Sequence, residues 1–242
     1  MLESHNIHNI LFLDIETVPQ ASGYDALPEN LKKLWNKKSE QLSKLDKFKA
    51  ETEKQPDELY QRAAIYAEFG KIICISTGVL RNNALWIKSY SGDDEKQLLA
   101  EFSEVLNKAP GKNITHLCAH NGKEFDYPYI IRRLLINGLP VPQMLDISGK
   151  KPWEIPHLDT MELWKFGDYK SYTSLELLAT VFGIPTPKDD IDGSDVGRVY
   201  WEEKDLERVV KYCQKDVLTI VNLFLRFQGK ELLSEDSISY IP

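Results

Sequence analysis

The sequence predicts an α/β domain with a mixed sheet and helices on both faces, and three observations carry that prediction. The chain has 242 residues, a comfortable length for one α/β domain and a tight one for two. Apolar residues make up 42% and charged residues 28%, an ordinary globular balance with enough hydrophobe for a core. The β-type runs come first, with no compact crossover helix between them, and strand–helix units follow. That order suits a sheet antiparallel at first and parallel later.

Taken along the chain, Ile10-Leu11-Phe12-Leu13 is the first strand run, with Thr17-Val18-Pro19 at its end. From about Pro28 to Phe69 the pattern turns helical and lysine-rich, with Leu31, Leu34, Leu42, Leu45 and Phe48 at helix-compatible spacings. Lys71 to Leu80 and Ala84 to Tyr90 read as two strands joined by a turn at Arg81-Asn82-Asn83. Asp93 or Asp94 opens a helix that runs to about Lys108. Ile114 to Ala119 is a fourth strand, and Tyr127 to Asn137 a helix closed by Gly138 and Pro140. Ile155 to Leu158 is a fifth, short strand. Thr173 and Glu176 have capping-box spacing ahead of a helix over 174–182. A long helix from about Glu202 to Gln228 ends the fold. Residues 1–242 thus read as one domain with a five-stranded mixed sheet, and the segment from about 24 to 68 as a helical insertion after the first strand.

Composition excludes several classes of function. The mix is wrong for a disordered chain, a collagen-like fibre or a disulfide-stapled miniprotein. No apolar run reaches the roughly 18 residues that span a bilayer. The N-terminal stretch is broken by acid and histidine and does not read as a signal peptide. Cys74, Cys118 and Cys213 sit in apolar stretches and read as buried free thiols, so a cytoplasmic protein is expected. The formal charge is −7, which argues against a broad basic nucleic-acid face. Between Leu31 and Lys54, however, eight lysines oppose four acids, leaving the remainder at −11. That basic segment fits either a solvated helical insertion or a phosphate-steering arm beside an acidic metal site.

Three constellations carry chemistry. In Leu13-Asp14-Ile15-Glu16, strand alternation puts the two acids on one face, about 7 Å apart along the strand. If partly buried they repel each other and lose hydration, a penalty that a hard cation such as Mg²⁺ or Mn²⁺ removes. If the strand ends at Leu13, both are solvated. In His120-Asn121-Gly122-Lys123-Glu124-Phe125-Asp126-Tyr127-Pro128, directly after a strand, Asn-Gly makes a tight turn. Asp126 there stands where a helix N-cap belongs, and capping alone would account for it. In the last helix, Leu206, Val209, Val210, Cys213, Val217, Ile220 and Phe224 form one apolar arc. Asp216 falls at the edge of that arc with Tyr212 one turn away. An aspartate there needs a partner, whereas a tyrosine is more often a core-edge residue.

Together, in this order, acid-x-acid, NGxxFD and Tyr-x-x-x-Asp resemble the DEDD superfamily of 3′–5′ exonucleases on a ribonuclease H-like fold, in its tyrosine-bearing subgroup. The sequence is most similar to predicted exonucleases like the proofreading domain of family B DNA polymerases, over about Ile10 to Leu225. The resemblance implies catalytic roles for Asp14, Glu16, Asp126, Tyr212 and Asp216. It implies that the four acids hold two Mg²⁺ or Mn²⁺ ions, Asp14 between them. Thr17, Asn121 and Phe125 are the expected substrate contacts, with Phe125 and Tyr127 as surfaces on which a terminal base could stack, although core packing accounts better for at least one of them.

The implied reaction is hydrolysis at the 3′ end of a nucleic acid, single-stranded or frayed DNA foremost, releasing nucleoside 5′-monophosphates by two-metal chemistry. Tyr212 would orient water rather than act as a strong base, since a phenol titrates near 10. The segment Lys188–Val196 looks like a loop near the site, and its acids do not match an EF-hand. His157 and Asp159 read as structural. Two other functions are weighed: a non-catalytic nucleic-acid-binding or scaffold module on the same fold, and a nucleotide-cofactor enzyme. The second lacks any G-x-G-x-x-G or P-loop turn after a strand.

Overall fold

The computed structural model describes residues 5–46, 54–168, 172–185 and 191–241. The strands are β1 (Ile10–Pro19), β2 (Gly70–Arg81), β3 (Ala84–Ser91), β4 (His116–Ala119), β5 (Leu158–Asp159) and β6 (Ile238–Ile241). They form one sheet in the order β5-β4-β1-β2-β3-β6. β1–β2 and β2–β3 are antiparallel, while β1–β4, β4–β5 and β3–β6 are parallel. The five expected strands are present in a mixed ribonuclease H-like arrangement, with the short fifth one over Leu158–Asp159 rather than Ile155–Leu158. β6 adds a sixth after the final helix, on the open edge of β3.

The helices are α1 (Glu29–Asp46), α2 (Glu95–Lys108), α3 (Asp126–Ile136), α4 (Thr160–Lys165), α5 (Leu175–Val181), α6 (Val196–Arg198) and α7 (Leu206–Phe227). The expected hairpin holds: Asn82 and Asn83 both adopt positive φ (50° and 61°), the geometry of the tight turn between twisted strands. Asp94 caps α2 by accepting from the Gln97 N–H at 3.1 Å. α5 is capped by Ser174, one residue later than the capping-box spacing suggests, through its hydroxyl at 3.2 Å from the Leu177 N–H. α7 starts four residues later than expected. A π-helical turn over Val199–Glu203 and a left-handed Lys204 precede it, and Asp205 supplies the cap.

Side-chain alternation along β1 sorts the core into two layers. Leu11, Leu13 and Ile15 pack under α2 and α3 with Leu98, Phe102, Tyr127 and Ile130. Ile10 and Phe12 face the other way and pack under α7 against Val217, Ile220 and Phe224. Asp14 and Glu16 continue that second face. α7 can approach closely because β2 carries Gly78 opposite Phe12: a Cβ there would stand 2.8 Å from the Val217 side chain.

Between β1 and β2, α1 packs through Trp35 and Leu42 against Leu27, Tyr60 and Phe69 of the flanking segments, in a separate cluster. Of the stretch expected to be helical, α1 and a 3-10 helix over Tyr60–Ile65 are helical, while Phe48 and the lysines at 47 and 49 lie outside the described residues. Cys74, Cys118 and Cys213 are buried free thiols. Among the described residues no helix is long and apolar enough to cross a membrane.

Candidate active site

β1 continues through Pro19 rather than stopping at Leu13, so Asp14 and Glu16 are strand residues pointing under α7. Glu16 is buried and Asp14 half-buried, which removes the solvated alternative. Directly after Glu16 the β1–β2 register shifts by one: Glu16 pairs with Cys74, whereas Thr17 pairs with Ile72. Such a bulge bends the strand where its side chains must be aimed.

α7 supplies the roof. Cys213 is fully buried, and its thiol lies 3.3 Å from Asp14 Oδ2 and 3.5 Å from the Asp14 carbonyl. Tyr212 and Asp216 are half-buried on the flank of the same helix face, and the Tyr212 hydroxyl hydrogen-bonds Asp216. A Cβ built on Gly193 would stand 4.0 Å from that hydroxyl, so the loop before α6 does pass the site. Residues 188–190 of that loop lie outside the described residues. Asp192 and Asp195 close a local turn through Ser194 and the Asp192 N–H rather than facing the cluster.

Asp126 arrives from α3. It occupies the first helical position with only 4% of its surface exposed, and no capping bond comes from the residue before it. Its carboxylate turns toward β1 and takes a backbone hydrogen bond from Ile15. The N-cap reading is therefore overturned. Asp126 is held in place by the Asn-Gly turn. Asn121 sits at φ +63°, and Gly122 is required for space, since a Cβ would stand 2.5 Å from the Ala119 Cβ. The Asn121 and Lys123 N–H groups donate to the two oxygens of Asp159 at 2.9 and 3.0 Å, and Asp159 also caps α4. Asp159 is thus structural, as expected. So is His157, whose Nδ1 accepts from the Leu117 N–H and whose Nε2 donates to the Met144 carbonyl at 2.6 Å. Burial pushes its pKa down to about 4.

The electrostatics follow from the convergence. Burial, then Asp216 and Asp126, push Asp14 well above the usual carboxylate range; burial, then Asp14 and Asp216, do the same to Glu16. Burial raises Asp126 to about 8. The Tyr212 phenol is pushed up by burial and by Asp216, Glu16 and Asp14. The strongest neighbours of Asp14 and Glu16 are acids and thiols, with no cation among them. Atoms of Asp14, Glu16 and Cys213 lie within 4.8 Å of one another, a spacing that one metal ion could bridge.

Of the expected substrate contacts, Thr17 is half-buried and bonded to the Tyr129 hydroxyl, and Phe125 is half-buried with its ring centroid 5.3 Å from that of Tyr129. Asn121 Oδ1 is buried with no hydrogen-bond partner. Tyr127 cannot stack on a base: it is 0% exposed and its hydroxyl donates to the Leu158 carbonyl at 2.9 Å. Cys213 carries no site signal in the sequence. Its place on the apolar arc of the last helix gave only a core signal, and its contact with Asp14 spans 199 residues.

The sequence model of a family described as "Predicted 3'-5' exonuclease related to the exonuclease domain of PolB" matches residues 65–238. That span takes in Asp126, Tyr212 and Asp216 but begins after β1. A DNA polymerase of Pyrococcus glycovorans is 24% identical over 145 residues, which are 55% of this chain and 18% of the polymerase. The structure of the family B DNA polymerase from the hyperthermophilic archaeon Pyrobaculum calidifontis aligns over 90% of this chain with a TM-score of 0.50. At 16% identity it shows the shared fold, and the alignment covers 24% of that polymerase. The chain therefore spans less than a quarter of the length of either polymerase. With 174 of its residues under the family's sequence model, the chain belongs to the predicted 3′–5′ exonucleases related to the exonuclease domain of PolB.

Proposed function

We propose that the protein is a metal-dependent exonuclease of the tyrosine-bearing DEDD type, removing nucleoside 5′-monophosphates from the 3′ end of single-stranded or frayed DNA. The observation that carries this reading is that Asp14 and Glu16 on β1 lie within electrostatic reach of Asp126 on α3 and Asp216 on α7, so that four carboxylates raise one another's pKa values. Such a cluster is unfavourable by itself, because burial and mutual repulsion both oppose ionisation. Hard divalent ions reverse both terms, and oxygen donors are the ligands Mg²⁺ and Mn²⁺ prefer, so the donor set fits. Asp14, Glu16, Asp126 and Asp216 would hold the ions. Bound there, two such ions would supply an acidified water and neutralise the leaving oxygen.

The chain's own groups do the rest. The Tyr212 phenol keeps its proton in this acidic surrounding and donates it to Asp216, so its oxygen accepts a hydrogen bond from the attacking water and orients it instead of deprotonating it. Asp216 holds the tyrosine in place through their hydrogen bond. Thr17, Asn121 and Phe125 serve as contacts for the terminal nucleotide. Presence of all five motif side chains argues against a non-catalytic module, since a degenerate copy has no reason to keep a buried acidic cluster.

The test is incubation with 5′-labelled single-stranded DNA and RNA, with and without Mn²⁺. A ladder of shortened products that needs the metal is expected. Asp216→Asn should abolish it. Tyr212→Phe should slow turnover about 10–100-fold while Mn²⁺ affinity is kept. An Asp216→Asn protein as active as the wild type would overturn the assignment.

A further inference from the structure

We infer that Cys213 is a positioning residue for Asp14, its thiol holding one carboxylate oxygen so that the other is presented to the ions; this rests on the metal-dependent reading above. The geometry is direct. Cys213 Sγ reaches Asp14 Oδ2 at 3.3 Å and the Asp14 carbonyl at 3.5 Å, so one thiol spans both the side chain and the backbone of the residue. Cys213 lies between Tyr212 and Asp216 on α7, so the helix that delivers two motif residues also fixes a third on another element.

A polar chain backs the thiol across the sheet. Asp14 pairs with Ser76 on β2, and Ser76 pairs with Ser89 on β3. The Ser76 and Ser89 hydroxyls lie 2.8 Å apart, and Gln214 Nε2 donates to Ser89 Oγ at 2.9 Å. In the other direction Ser76 Oγ is 3.7 Å from Cys74 Sγ, and Cys74 in turn hydrogen-bonds Cys213. The sheet face beside Asp14 therefore carries serines and cysteines where its continuation under α7 carries Ile87, Phe12 and Leu85. These small groups do not fill space as a core would; they form a connected set of hydrogen-bonding groups that reaches a carboxylate. Outer hydrogen bonds of this kind set the orientation of a ligating group.

The same atoms admit one competing role. Cys213 Sγ is within 4.8 Å of the Asp14 and Glu16 oxygens, so it could itself ligate a cation. Hard ions pass over a thiol in favour of oxygen, and the thiol here faces Oδ2.

The experiment compares wild type, Cys213→Ser, Cys213→Ala and Cys213→Val. Mn²⁺ affinity is measured by electron paramagnetic resonance, and the Co²⁺-loaded wild type is examined for sulfur-to-cobalt charge-transfer absorption. Removing the donor, in the alanine and valine variants, should weaken Mn²⁺ binding about 10–100-fold, and serine should restore it to within about threefold. The cobalt protein should show no charge-transfer band. Alanine keeps the test open if valine does not fold. Equal affinity in all four proteins overturns the inference, and so does a charge-transfer band that disappears in Cys213→Ser. A wild type that binds no Mn²⁺ overturns the metal-dependent reading as well, whereas tight binding in all variants overturns this inference alone.

Discussion

Asp126 has the sequence position of a helix cap and the environment of an active-site acid. Burial drives its pKa up to about 8, with Asp159 and Asp216 adding to the rise, so at pH 7 and without metal it is protonated. Asp14 and Glu16 are shifted in the same direction. A divalent ion must displace those protons to bind. Calorimetric titration with Mg²⁺ at pH 7, in buffers of different ionisation enthalpy, should therefore show proton release, and the release should shrink at pH 9. Asp126→Asn should lower it at pH 7. At this scale, parity along β1 and the helical arc of 206–224 made Asp14, Glu16, Tyr212 and Asp216 legible in the sequence. Asp126 was legible as a residue and ambiguous as a role, because a first-turn aspartate has an ordinary local use. Cys213, Ser76 and Ser89 were not legible, because their meaning lies in cross-strand pairing and in a contact between residues 14 and 213.

Of the elements that bring these acids together, α3 is anchored by a second buried charge system on the opposite face of the sheet. Glu95, at the start of α2, accepts from Arg133 Nε at 2.8 Å and Nη2 at 2.5 Å, from the Ile72 N–H at 2.7 Å and from Asn137 Nδ2 at 3.0 Å. Arg133 also donates to the Ala67 carbonyl at 2.7 Å. One ion pair thus ties α2, α3 and β2 together, with its polar atoms satisfied. Removing one partner strands a buried charge, which costs about 3–5 kcal/mol. Glu95→Ala should lower the unfolding free energy by that order, as read from urea denaturation. Replacing Glu95 and Arg133 together should cost less than the sum of the two single changes. Strand and helix identities were legible from periodicity, since β2, β3 and α2 carry long regular patterns. β6 was not: a four-residue strand forms only because the edge of β3 is open to it. The π-helical turn before α7 also escaped, because Val199–Glu203 looks locally like a helix start, while Trp201 bonds the Pro19 carbonyl at 3.1 Å and so fixes that turn to the end of β1.

For the whole molecule, the acidic cluster makes stability depend on pH and metal together. In the unfolded chain, Asp14, Glu16 and Asp126 titrate near 4. In the folded protein all three hold their protons to higher pH, Asp126 to about 8. The folded state then binds more protons between those limits, so the stability these groups contribute is present at low pH and is lost as pH rises through their folded values. Buried His157 works the other way: with its pKa lowered to about 4, it costs stability as pH falls below its unfolded value near 6.5. Above pH 6.5 that opposing effect has gone and the carboxylates dominate. Without metal, the melting temperature should therefore fall between pH 6.5 and 9, by about 2–4 °C for each kcal/mol lost in a chain of this size. On the proposed function Mg²⁺ or Mn²⁺ would bind only the folded cluster, and better once the carboxylates have ionised, so the metal should raise the melting temperature most at the alkaline end. Melts in EDTA and in excess Mg²⁺ across this range give the comparison. Parallel curves would mean that the ion does not reside among these acids. Convergence of the pH 6.5 and pH 9 melting temperatures on adding metal is the expected result.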